Sequence, residues 1–108
     1  MPKYFVGNIS DFPINSSHEL AIADRIVALY NVDGQYFALD GVCPHAGGPL
    51  GEGYLTGTRV TCPWHGWQFD VTTGRHCLTP HIVQQQFPTS LEGERIFIEI
   101  EDELTPSS

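Results

Sequence analysis

Two short segments govern what this chain can fold around. Cys43-Pro44-His45 and Cys62-Pro63-Trp64-His65 each carry one cysteine and one histidine, in the order C-x-H and then C-x-x-H, with 16 residues between them. Both cysteines precede proline, which disfavours helix at the cysteine and stiffens the loop. Gly47-Gly48 follow the first segment and Gly66 the second. Glycine lets a backbone pass close to a bound object and turn its N–H groups toward it. Two thiols and two imidazoles form a metal-ligand set. A zinc site is one use of it, but zinc fingers usually keep the cysteines together and the histidines together. Here each element is mixed. A mixed pair suits a dinuclear centre, in which each loop gives its cysteine to one metal and its histidine to the other. A purely structural role without metal is the remaining reading.

The chain around these loops reads as strands. Residues 25–40 (RIVALYNVDGQYFALD) place two runs rich in β-branched and aromatic residues on either side of Asp33-Gly34, a strong signal for a two-residue hairpin turn. Residues 95–101 alternate charged and apolar side chains, as a half-buried strand does. Further strands are expected at residues 3–7, 19–23, 58–61, 68–71 and 83–87. Helix competes only over residues 18–30, where Asp24-Arg25 and the β-branched run after it favour two strands. Glycines and prolines, 11 and 8 of them, punctuate the gaps. Many short strands with frequent turns predict an all-β sandwich or barrel. At 108 residues one domain is expected over 1–108, with residues 101–108 a frayed acidic tail.

Charge and length narrow the function. Thirteen Asp and Glu against five Lys and Arg give −8, which argues against nucleic acid or an anionic membrane as partner, since both are polyanions. The chain is too short for a TIM barrel or a full Rossmann enzyme. Three cysteines are an odd count for a disulfide scaffold. The N-terminal residues lack an apolar signal region, and no apolar run is long enough for a membrane helix. A reducing, cytoplasmic setting is therefore expected.

Cys43-Pro44-His45-Ala46-Gly47-Gly48-Pro49-Leu50 and Cys62-Pro63-Trp64-His65-Gly66-Trp67-Gln68-Phe69-Asp70 resemble the two cluster-binding boxes of the Rieske ferredoxin family. In a Rieske [2Fe–2S] centre two histidines replace two cysteines on one iron. The resemblance covers roughly residues 3–101. It implies Cys43 and Cys62 as thiolate ligands of the inner iron, and His45 and His65 as ligands of the outer iron. It implies an antiparallel β-sandwich with a small cluster-binding subdomain over about 41–80. It further implies no catalytic residue, and a soluble one-electron carrier passing electrons from a flavin NAD(P)H reductase to the terminal oxygenase of a bacterial ring-hydroxylating system. The small Rieske-like subunit of a nitrite reductase complex is the alternative, and a structural zinc module a third.

Substitutions inside the boxes select the branch. Rieske proteins of respiratory complexes carry an extra cysteine in each box, joined as a disulfide; the matching positions here are Gly48 and Trp64. Those proteins also place Ser and Tyr hydroxyls on the cluster sulfurs, where this chain has Trp67 and Phe69. Without those donors the reduced state is less stabilised, so a potential near the low end of the Rieske range, about −150 mV or somewhat above, is expected. Elsewhere, Cys77 reads as a buried structural thiol, and His76 and His81 as surface or locally hydrogen-bonded residues. His18 reads as a polar surface or cap residue, and Pro80 as part of a third loop covering the cluster. Trp64 reads as a shield or docking residue, and the acid-rich residues 92–103 as a solvated face.

Overall fold

The computed structural model describes residues 2–44, 47–64 and 66–100. Ten strands make up the regular structure: β1 (Lys3–Asn8), β2 (Ser16–Ile22), β3 (Arg25–Val32), β4 (Gln35–Asp40), β5 (Tyr54–Thr56), β6 (Arg59–Thr61), β7 (Gln68–Asp70), β8 (Gln86–Phe87), β9 (Thr89–Glu92) and β10 (Arg95–Glu99). All pairings are antiparallel. Among the described residues there is no α-helix. The all-β expectation holds.

The β3–β4 hairpin forms where the sequence signals it. Asp33 and Gly34 both have positive φ (55° and 94°), as a two-residue turn between right-twisted strands requires. The Asn31 side-chain oxygen accepts the Gly34 N–H at 2.8 Å. The β2–β3 turn uses the same conformation without glycine, with Ala23 and Asp24 at φ 48° and 66°. Residues 18–30 are therefore two strands in continuous register from Ser16↔Asn31 to Ile22↔Arg25.

The strands assemble into three sheets, ordered β1-β10-β9, β2-β3-β4-β8 and β5-β6-β7. The second sheet is the middle layer, and β3 shows why. Val27, Ala28, Leu29 and Tyr30 are all fully buried, yet successive side chains leave a strand on opposite faces. Val27 and Leu29 join one core, with Ile96, Ile98 and Phe87. Ala28 and Tyr30 join the other, with Leu50, Val60, Phe69 and both Cys43 and Cys62. A strand buried on both faces loses the apolar–polar alternation of a surface strand.

Two strands were not expected. Tyr54–Thr56 is only three residues long. Thr89–Glu92 is a polar edge strand paired only to β10. The strand expected at 83–87 shrinks to Gln86–Phe87 because Val83 bridges to Arg75 instead. The expected strand at 95–101 ends at Glu99, and residues 101–108, the expected tail, lie outside the described residues.

A 3-10 turn, Leu50–Glu52, seats the first cysteine loop on β2. A Cβ on Gly51 would stand 2.7 Å from both the Glu19 Cα and the His18 carbonyl oxygen. Those are backbone atoms and cannot step aside cheaply. Gly51→Ala should therefore cost about 1–3 kcal/mol, read as a lower urea midpoint with an unchanged slope.

Candidate metal centre

The two loops share one backbone design. Cys43 N–H donates to the Gly48 carbonyl at 2.9 Å, and Gly47 N–H donates back to the Cys43 carbonyl at 2.8 Å. Cys62 N–H donates to the Trp67 carbonyl at 2.7 Å, and Gly66 N–H to the Cys62 carbonyl at 3.0 Å. The closing glycines, each four residues after its cysteine, sit at φ 72° and 74°, a conformation costly for any residue with a Cβ. The near-repeat in sequence is thus a repeat in structure, Cys-Pro-x-x-Gly twice. The histidine falls one place later in the second copy.

The loops face one another. A Cβ built on Gly48 would lie 2.9 Å from Cys62 Sγ and 3.2 Å from Trp64 Cβ. The Cβ separation across a disulfide is about 3.5–4.5 Å, so positions 48 and 64 stand close to bridging distance. The pair occupying them, glycine and tryptophan, fills that gap with an indole instead. Trp64 is 58% exposed, in keeping with a shield or docking role.

Cys43 and Cys62 are both buried, within the core that also holds Tyr30. The Tyr30 hydroxyl donates to the Leu50 carbonyl at 2.9 Å. Burial pushes its ionisation far up, and negative charge at Cys62 and Cys43 pushes the same way. The phenol is therefore held as a neutral donor. His45 and His65 lie outside the described residues. Among the described residues no three His, Cys, Asp or Glu gather as a metal set; Cys43 and Cys62 are the described members of the set expected from the sequence.

The third loop departs from expectation in two places. His76 is not a surface residue: it is buried, standing perpendicular to Trp67 at 4.6 Å between ring centroids. Its local hydrogen bonds do form, Nδ1 accepting the Leu78 and Thr79 N–H groups. Cys77 is half-buried rather than buried, because the chain turns outward there toward exposed Leu78. His81 and Pro80 are exposed. His18 is half-buried, with Nε2 2.7 Å from the Ser16 hydroxyl and its ring against Phe12, and burial lowers its pKa. Buried Gln84 was missed in the sequence. Its amide donates to the Asp40 and Val42 carbonyls at 2.8 and 2.6 Å, fixing the backbone that enters the Cys43 loop.

Residues 2–90 match the Rieske [2Fe–2S] domain family. The chain belongs to that family. This Rieske domain is 34% identical over 83 residues to the ferredoxin component of the naphthalene 1,2-dioxygenase system of Pseudomonas aeruginosa, covering 75% of this chain and 79% of that protein. It is 37% identical over 97 residues to the ferredoxin component of the p-cumate 2,3-dioxygenase system of Pseudomonas putida, covering 87% and 75%. Among solved structures it resembles the Sphingomonas yanoikuyae B1 ferredoxin, with TM-score 0.77 and 29% identity over 93% of this chain and 100% of that one. It also resembles a chain from the complex of reduced oxygenase and oxidized ferredoxin in carbazole 1,9a-dioxygenase. There the TM-score is 0.83 and identity 25%, over 92% of this chain and 97% of the other.

The described residues fit the family's [2Fe–2S] cluster. Two thiols buried in one apolar core would be costly as bare thiolates, and iron would supply the compensating charge. Their backbones are already fixed from both sides. Among the described residues no helix is long and apolar enough to cross a membrane.

The facing of positions 48 and 64 predicts the behaviour of an engineered pair. Gly48→Cys with Trp64→Cys should form a disulfide, seen as a mass 2 Da lower before reduction (about two hydrogens lost per bond formed). Two free engineered thiols under oxidising conditions would contradict the geometry.

Proposed function

We propose that this Rieske domain is a one-electron carrier, taking electrons from a flavin NAD(P)H reductase and passing them to a terminal oxygenase. The observation that carries the reading is the pair of matched cysteine loops, facing one another beside exposed Trp64. Similarity to ferredoxin components of dioxygenase systems supports it. When bound, the cluster supplies a site that gains and loses one electron. Cys43 and Cys62 would hold one iron as thiolates, and His45 and His65 would hold the other. The cluster-binding part spans about 41–80 of a single domain, and the setting is cytoplasmic. No residue acts as a catalyst: the chain's work is to hold, shield and present.

The chain's own residues shape each part of that work. The backbone bonds at Cys43 and Cys62 keep both ligand loops in place, so little rearrangement accompanies the change of charge. Gln84 braces the first loop from behind. Trp67 and fully buried Phe69 follow the second loop, and neither carries a hydroxyl. They exclude water without placing a hydroxyl beside the second loop, which leaves the reduced state less stabilised. The net charge of −8 suits brief docking to a cationic patch on a partner, with rates that fall as salt rises.

Two measurements test the reading. The purified protein should contain iron and acid-labile sulfide in equal amounts. It should also support NAD(P)H-driven turnover when mixed with a reductase and oxygenase of this class. One zinc per chain and no sulfide would overturn it. Phe69→Tyr should raise the midpoint potential by roughly 20–60 mV, one hydrogen bond expressed for a one-electron couple. Trp67→Ser should shift it in the same direction. Film voltammetry showing no upward shift in either variant would remove the hydroxyl account.

A further inference from the structure

After β7 the chain makes a small excursion braced from within. His76 N–H donates to the Ile82 carbonyl at 2.9 Å, Gln84 N–H to the Gly74 carbonyl at 2.6 Å, and Arg75 bridges to Val83. Residues 77–81 form the tip. Leu78, at 87%, is the most exposed large apolar side chain among the described residues. An exposed leucine gains nothing from packing where it stands, so the order of this tip must come from beneath it.

His76 provides that order. The residue is only 6% exposed. Its Nδ1 accepts the N–H of Leu78 at 3.1 Å and of Thr79 at 3.0 Å. A nitrogen that accepts carries no proton, so the neutral ring holds its proton on Nε2. Nε2 is buried with no hydrogen-bond partner among the described residues. The ring stands perpendicular to Trp67 at 4.6 Å and close to perpendicular to Phe69 at 5.2 Å. Two lesser ties help: the Arg75 guanidinium donates to the Pro80 carbonyl at 3.2 Å, and Ile82 N–H to the Thr79 carbonyl at 2.9 Å. One imidazole thus joins the tip's backbone to the aromatic pair that follows the Cys62 loop.

We propose that His76 is a positioning residue for electron transfer, preforming the 77–81 tip so that Leu78 is held outward for an apolar depression on the terminal oxygenase. The proposal rests on the electron-carrier reading above. A loop ordered before contact pays less entropy on binding, so His76 acts on the affinity of docking and not on the chemistry of the cluster.

Three variants test it on the cluster-loaded protein. His76→Leu keeps the bulk and loses the acceptor. His76→Asn restores an oxygen at the δ position. Leu78→Ala leaves the brace intact. Amide hydrogen exchange at Leu78 and Thr79 should quicken about tenfold in His76→Leu and recover largely in His76→Asn. Leu78→Ala should leave that exchange unchanged. With the oxygenase as acceptor, KM for the carrier should rise several-fold in His76→Leu and Leu78→Ala. Turnover at saturation and the midpoint potential should stay at the wild-type value. Exchange unaltered in His76→Leu, an Asn variant no better than Leu, an unmoved KM, or a shifted potential would each overturn the proposal. If no variant, nor the wild type, reduces an oxygenase while the exchange pattern holds, the carrier reading fails and the brace stands.

Discussion

Everything that distinguishes this fold from an ordinary small β-sandwich follows from one backbone device used twice. Each cysteine is clasped between its own N–H and C=O, the first donating across the loop and the second accepting from a left-handed glycine. The clasp fixes the direction of the Cα–Cβ bond before any metal arrives. It also consumes the polar backbone groups that would otherwise face an apolar core unpaired. Burial at 2% exposure leaves each thiol few rotamers on that fixed backbone, so two such loops face to face define a site rather than an average over many.

The middle sheet makes the device possible. One of its faces is a conventional sandwich core against β1 and β10. The other packs against the cysteine loops and the small β5-β6-β7 sheet. Ala28 and Tyr30 on β3 therefore lie under the metal-binding part, while Val27 and Leu29 on the same strand stabilise the opposite core. Close backbone approach at Gly51 and the Tyr30 hydroxyl on the Leu50 carbonyl tie the loops to that sheet. The site is then as rigid as the strands beneath it, which suits a centre whose charge changes by a single electron.

Much of this was legible in the residues, for physical reasons that differ from place to place. Asp33-Gly34 announces its turn because both positions need positive φ. Ala23-Asp24 makes the same turn without such a signal, and only the strand pairing around it forces the conformation. The Cys-Pro-x-x-Gly repeat was visible as a pair of cysteine–histidine loops, and Gly48 opposite Trp64 agrees with the reading that no disulfide forms there. His76 was not legible: nothing in Arg75-His76-Cys77-Leu78 separates a surface histidine from one whose ring accepts two N–H groups ahead of it. Gln84 was hidden in a run of three glutamines, of which it alone is buried. Thr89–Glu92 escaped because a polar edge strand has no periodicity of its own to show.

In the proposed centre one iron would be held by two thiolates and the other by two imidazoles, one of each from each loop. Pulsed EPR of the dithionite-reduced protein, with histidine nitrogens labelled, reads this directly. The expected result is a reduced-cluster signal whose average g lies below the free-electron value, with couplings from two histidine nitrogens, both lost when His45 and His65 are replaced together. A reduced cluster showing no histidine couplings, or no paramagnetic signal in an iron-replete sample, would contradict it.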